Sequence, residues 1–248
     1  MNAAQSPHYL TLAARNRILK RMNDERTCEP QYQAHVELKD AMGLKPLGLR
    51  VNATWHEDPR RLVFVLARYK FVSKMLSGRK RVLEVGCGDA FATRIVQQEV
   101  GSLCGVDYDG VFVRDVNERI DPKWPMECRV HDMLSGPVEG GFDAAYALDV
   151  IEHIPAEQED LFVRNIVASL EGLGVLILGC PSLESQTYAS EGSKAGHVNC
   201  KTGQTMRELM SRFFQEVFIF SMNDEVVHTG FAPMAHYLFG MGVGRRNA

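Results

Sequence analysis

The sequence predicts an α/β fold built on a mostly parallel sheet, and three observations carry that expectation. Val82, Leu83 and Val85 form a short apolar run that breaks at Gly86-Cys87-Gly88, after which Phe91, Ile95 and Val96 return at helical spacing. A second apolar run, Leu103 to Val106, closes on Asp107. That acid lies about twenty residues beyond the glycine turn, where an α/β nucleotide site places its ribose-binding carboxylate. Further strands are predicted at 127–130, 142–148, 172–181 (with its leading turn), 217–220 and 237–241.

Taken in order, residues 8–27 place Leu10, Ala14, Ile18 and Met22 on one helical face, with Arg15, Arg17, Lys20 and Arg21 among the polar positions. A solvated basic helix covering a core is favoured there over a phosphate-binding patch. A second helix is predicted from Tyr32 to Met42, stopped by Gly43, and then a loop over 45–54. Asp58-Pro59 opens the next helix with an acid cap and a proline at its first position. Leu62, Leu66, Tyr69, Val72 and Leu76 continue it to about Gly78. From this helix Arg68 could reach a ligand carboxylate, while Tyr69 reads as a packing residue. A helix is expected near Pro155, a polar loop over 182–202, and a helix from about Thr205 to Phe213. The stretch Met222–Gly230 reads as a polar connection.

Composition sets the bounds. The 248 residues suit one buried α/β domain with a modest extension; the 45% hydrophobic and 24% charged content is ordinary for a globular chain. A net charge of −3 gives no electrostatic case for nucleic acid, and no apolar run approaches membrane-spanning length. Met1–Pro7 lacks the basic start and apolar stretch of a signal peptide. The six cysteines (28, 87, 104, 128, 180, 200) include no Cys-x-x-Cys pair and are read as reduced thiols of a cytoplasmic protein.

The glycine turn brings backbone N–H groups and a helix N-terminus against a ligand. A dinucleotide site would want a third glycine at position 91, which is Phe91, and the carboxylate of Glu84 would repel a pyrophosphate while suiting an ammonium group. The stretch Leu83-Glu84-Val85-Gly86-Cys87-Gly88 resembles the first motif of class I S-adenosylmethionine (SAM) dependent methyltransferases, departing from its commonest form at Ala90, where a third glycine is usual. The phrase Phe142-Asp143…Leu148-Asp149-Val150-Ile151-Glu152-His153 resembles a second stretch of the same family, as in its quinone-biosynthesis, natural-product and sugar members. The resemblance covers roughly 60–245. It implies a Rossmann-like sheet of seven strands with the last antiparallel, helices on both faces, and SAM as cofactor with S-adenosylhomocysteine (SAH) as product. Residues 1–57 are then an N-terminal helical extension or lid, and 58–248 the SAM-binding domain, with 182–202 as a substrate loop.

The cofactor set expected on these grounds is Glu84, Gly86, Cys87, Gly88, Asp107, Tyr108, Asp132, Met133, Leu148, Asp149 and Val150. Asp107, preferred over Asp109, would accept both hydroxyls of the ribose diol, and Tyr108 could lie on the adenine face. The resemblance assigns Asp132 and the backbone of Met133 to the adenine edge, and Leu148, Asp149 and Val150 to the neighbourhood of the sulfonium. Neither an Asn/Asp-Pro-Pro-aromatic loop nor a Pro-Cys nucleophile stands after the fourth strand, which argues against the family's base-amine and cytosine-carbon chemistries.

Methyl transfer from a sulfonium is an in-line displacement that needs positioning and, for a hydroxyl acceptor, a base, but no metal. His153, His197 and Asp149 are the candidate bases. The expected function is methylation of a small molecule, with oxygen favoured over nitrogen. A non-catalytic SAM-binding subunit and an NAD-dependent oxidoreductase are the alternatives, and the helical extension could serve a homodimer as readily as a lid.

Overall fold

A computed structural model describes residues 26–246. The chain divides into two units, residues 1–46 and 47–248. In the first, a 3-10 turn at Pro30–Tyr32 leads into helix α1 (Gln33–Met42), closed by Gly43 at a φ of 70°. The basic helix expected over 8–27 lies, apart from its last two positions, outside the described residues.

The second unit opens with α2 (Leu49–Glu57), where the sequence predicted a loop. The helix carries no cap of its own, because its N-terminal cap comes from a distant residue: the Val51 N–H donates to Asp89 Oδ2 at 2.8 Å. Gly48 permits the approach, since its φ is 136° and a Cβ there would lie 2.5 Å from the same carboxylate oxygen. Helix α3 (Arg60–Met75) starts as predicted, with Asp58 Oδ1 accepting from the Arg60 N–H.

There follow β1 (Arg81–Val85), α4 (Thr93–Gln97), β2 (Ser102–Asp107), α5 (Gly110–Arg119), β3 (Glu127–Val130), β4 (Phe142–Leu148), α6 (Glu159–Ser169) and β5 (Leu170–Pro181). The segment 182–202 is not a plain loop: it holds a 3-10 turn, Glu184–Tyr188, and a short helix α7, Glu191–Gly196. After it come α8 (Gly203–Ser211), β6 (Phe214–Asn223), β7 (Val226–His228) and β8 (Tyr237–Arg245).

The sheet has eight strands in the order β3-β2-β1-β4-β5-β8-β6-β7, not seven. The extra strand, β7, forms where Asp224 adopts a φ of 50° and turns the chain back so that Asn223, Met222 and Ser221 pair with Val226, Val227 and His228. Strands β1 to β5 are parallel, and β8 runs antiparallel between β5 and β6. Both faces are covered. Leu83 and Val85 pack with Phe162 and Ile166 of α6 and Met206 and Leu209 of α8; Val82 packs on the other face with Val72 of α3, Leu76 and Val96 of α4. Strand order reverses between β1 and β4, and there an open α/β sheet leaves a crevice beyond its carboxyl ends. No helix among the described residues is long and apolar enough to cross a membrane.

Candidate active site

A cavity of about 560 Å³ occupies that crevice. Its wall is built from the carboxyl ends of four strands: Gly86 and Gly88 after β1, Asp107, Tyr108 and Asp109 after β2, His131, Asp132 and Met133 after β3, and Asp149, Val150 and His153 after β4. Arg50, Phe112 and Phe162 complete it in part.

The glycine turn is fastened from beneath. The N–H groups of Gly86 and Cys87 both donate to the Val106 carbonyl, at 2.8 and 3.1 Å. Gly86 has a φ of 71°, and a Cβ there would meet Val150 Cγ2 at 2.3 Å, so the turn closes against the cavity wall only with glycine. Ala90, where the family motif has glycine, also adopts a left-handed φ of 50°, a conformation that strains an alanine by about 1 kcal/mol.

Asp107 ends β2 with its carboxylate 2.9 Å from both the Gly88 N–H and the Asp109 N–H, one on each oxygen. It therefore organises the turn while retaining lone pairs for a ligand. Asp109, the competing candidate, caps α5 by accepting from the Val111 N–H at 2.8 Å. Tyr108 is 79% exposed beside the cavity. Asp132 is exposed, with one oxygen taken by the Leu134 N–H at 2.9 Å, and Met133 lies buried next to it.

Three of the expected cofactor residues do not line this cavity. Glu84 alternates to the other face of the sheet and is 1% exposed, accepting from the Tyr69 hydroxyl at 2.7 Å and the Thr93 hydroxyl at 2.6 Å. Cys87 is buried with its sulfur 3.8 Å from that of Cys128. Leu148 and Cys87 instead border a smaller cleft beneath α2 and α3.

Burial raises the Glu84 carboxyl from 4.5 to about 7, against the pull of the Thr93 and Tyr69 hydroxyls. Because the folded value exceeds the unfolded one, folding takes up a proton. The stabilisation is complete below pH 4.5 and is lost as pH rises towards 7, amounting to about 3 kcal/mol. Glu84→Gln should therefore flatten stability between pH 4.5 and 7 by that amount, as read from urea midpoints; parallel profiles for the two proteins would refute this. Glu152 is displaced in the same direction, to about 8, first by burial and then by Asp149.

Arg68 does not line the cavity. Its Nη1 donates to both carboxylate oxygens of Asp149 at 2.8 Å, and its guanidinium carbon lies 3.8 Å from the centre of the Tyr237 ring. His153 is exposed, and its Nδ1 bonds the Gly196 carbonyl at 2.8 Å. His197 stands outside the cavity, bonded through Nδ1 to Gln186 Oε1 at 2.9 Å, with its ring centre 5.2 Å from that of His153. Burial, then the neighbouring His153, lowers the pKa of His197. Sequence reasoning passed over Arg50, Phe112 and Glu152; the first two belong to segments without a motif, and Glu152 carries no signal beyond its place in the Asp149–His153 phrase.

Residues 82–174 match the family model for a methyltransferase domain. A protein of Mycobacterium tuberculosis named probable S-adenosylmethionine-dependent methyltransferase is 27% identical over 119 residues, 46% of this chain and 42% of that protein. The chain thus matches less than half the length of this curated relative. Among solved structures, the N-methyltransferase NodS of Bradyrhizobium japonicum with bound SAH superposes with a TM-score of 0.54 at 15% identity, over 92% of this chain and 97% of that one. Magnesium protoporphyrin IX methyltransferase of Synechocystis, also with SAH, gives 0.52 at 14% identity over 94% and 95%. The shared fold is the Rossmann-like fold of these enzymes.

Proposed function

We propose that this chain, whose residues 82–174 match a methyltransferase-domain model, is a class I SAM-dependent methyltransferase that transfers a methyl group to a small-molecule acceptor, at a hydroxyl oxygen in preference to nitrogen. The observation that carries this reading is the single cavity wall shared by Gly86, Gly88, Asp107, Asp149 and His153. The residues present fit the cofactor. Gly86 in the left-handed turn has no room for a side chain, a carboxylate at the end of β2 suits a ribose diol, and the exposed Tyr108 and exposed Asp132 on the same wall would suit an adenine. Asp107 would hold the ribose, Tyr108 and Asp132 the adenine, and Arg50 the amino-acid carboxylate. The cofactor supplies a sulfonium-activated methyl group.

His153 is the residue placed to take the acceptor's proton. A carbonyl oxygen only accepts, so the bond to Gly196 puts the proton on Nδ1 and leaves Nε2 as the basic nitrogen. The segment 182–202, tied to the loop after β4 at this bond, would select the acceptor.

Calorimetric titration with SAH and with NAD tests the reading. Wild type should bind SAH and not NAD. Asp107→Ala should weaken SAH roughly 10- to 150-fold, the worth of one charge-assisted hydrogen bond. NAD binding in place of SAH would overturn the cofactor assignment. SAH binding without turnover on any small-molecule hydroxyl or amine panel would favour a binding subunit.

A further inference from the structure

Where the loop after β4 meets the segment 197–199, Glu152, His153 and His197 converge, with one donor atom from each within 4.8 Å of the others. We propose that these three residues form a binding site for a divalent first-row transition cation. Its occupancy does not depend on the methyl-transfer reading; its role does.

Three further observations support the site. Both rings have Nδ1 engaged by a carbonyl oxygen, His153 by Gly196 and His197 by Gln186, at 2.8 and 2.9 Å. Each ring is thereby fixed in one tautomer with the Nε2 lone pair free, the arrangement that orients metal-binding imidazoles. Glu152 is 1% exposed, and its Oε2 has no hydrogen-bond partner among the described residues. A buried carboxyl oxygen without a partner is destabilising, and a cation would satisfy it in exchange for the carboxyl proton.

The backbone also holds the two segments together. The Val198 and Asn199 N–H groups both donate to the Glu152 carbonyl, at 2.8 and 3.0 Å. Asn199 Nδ2 donates to Glu159 Oε2 at 3.0 Å, and Lys201, 5% exposed, reaches both Glu159 and Asn199. His197 is thus anchored beside Glu152 by buried polar bonds, independent of any ring contact.

Two imidazoles and one carboxylate suit Zn²⁺, Mn²⁺, Fe²⁺ or Co²⁺ over Ca²⁺ or Mg²⁺, which take oxygen ligands. Of the three ligands His153 lines the cavity, so a cation held by them would border the proposed acceptor side. A hydroxyl bound there would lose its proton to water more readily, its oxygen would bond the methyl carbon, and the carbon–sulfur electron pair would return to sulfur. The sequence predicts no metal; the proposed site departs from that expectation, on side chains that only the fold brings together.

The test uses the full chain stripped with a chelator and titrated with Co²⁺, followed by calorimetry and visible spectra. One equivalent should bind with the spectrum of nitrogen and oxygen ligands. Glu152→Gln and His197→Ala should each weaken it by about 100-fold or more, with SAH affinity unchanged. In the wild type, Co²⁺ should also protect His153 and His197 from diethyl pyrocarbonate, a readout that no folding defect can confuse. Absent saturable binding, thiolate-to-cobalt bands, binding indifferent to both variants, or unprotected histidines would each overturn the site. No methyl donor enters these measurements, so their failure is separate from a failure of the transferase reading.

Discussion

Arg68→Met should destabilise the protein by about 3–5 kcal/mol, the loss typical of removing one partner from a buried ion pair. The pair is well enclosed: the side chains of Arg68 and Asp149 are 14% and 13% exposed. It joins α3 to the loop after β4, so its loss releases the helix that covers one face of the sheet. Asp149 cannot relax cheaply, because it sits at a φ of 57° with its N–H donating to the Gly179 carbonyl. The carboxylate would be left buried and unpaired, and the guanidinium's contact with the Tyr237 ring would go as well. Asp149→Asn keeps the backbone conformation, since asparagine tolerates the left-handed region. The double variant Arg68→Met/Asp149→Asn should therefore be more stable than Arg68→Met alone. Urea denaturation of the four proteins measures the cycle, and a single-variant loss below about 1 kcal/mol would show that the pair behaves as an exposed one.

The parts of this fold visible in the sequence are those specified by neighbours along the chain. Strands β1, β2 and β4 and the second half of β5 are mostly buried and read as largely apolar runs, and α3 announces itself with Asp58-Pro59. Helix α2 does not, because the carboxylate that caps it belongs to Asp89, reached only after β1 has been laid down. Strand β7 is three residues long and depends on one left-handed aspartate, so it leaves no period to detect. The same division runs through the site. Gly86 and Asp107 follow from the glycine turn and the acid about twenty residues beyond it, and His153 from the resemblance of the 142–153 phrase, whereas Glu84 stands in the first motif without lining the cavity. Strand alternation sends it, with Val82, to the opposite face, where Tyr69 and Thr93 take both its oxygens. The meeting of His197 with His153 rests on Lys201, Asn199 and Glu159, a buried polar knot between a helix and a loop that no local pattern encodes.

His153→Ala should lower kcat by about 10²- to 10⁴-fold on a hydroxyl acceptor, the range for removing a general base. The affinity for SAH should change little, because in the proposed reading the turn and Asp107, and not His153, would hold the cofactor. Two mechanisms give that loss, and His197 separates them. If the His153 ring itself takes the proton, His197→Ala should leave kcat within about fivefold, since His197 does not line the cavity and serves only as a packing neighbour. If the ring acts through a bound cation, His197→Ala removes a ligand of equal standing and the two variants should fall together. Single-turnover rates with saturating SAM, taken with and without chelator, read the difference. Equal losses in both variants, matched by the chelator, would move proton removal from the ring to the cation. A His153→Ala protein that turns over at the wild-type rate would exclude both.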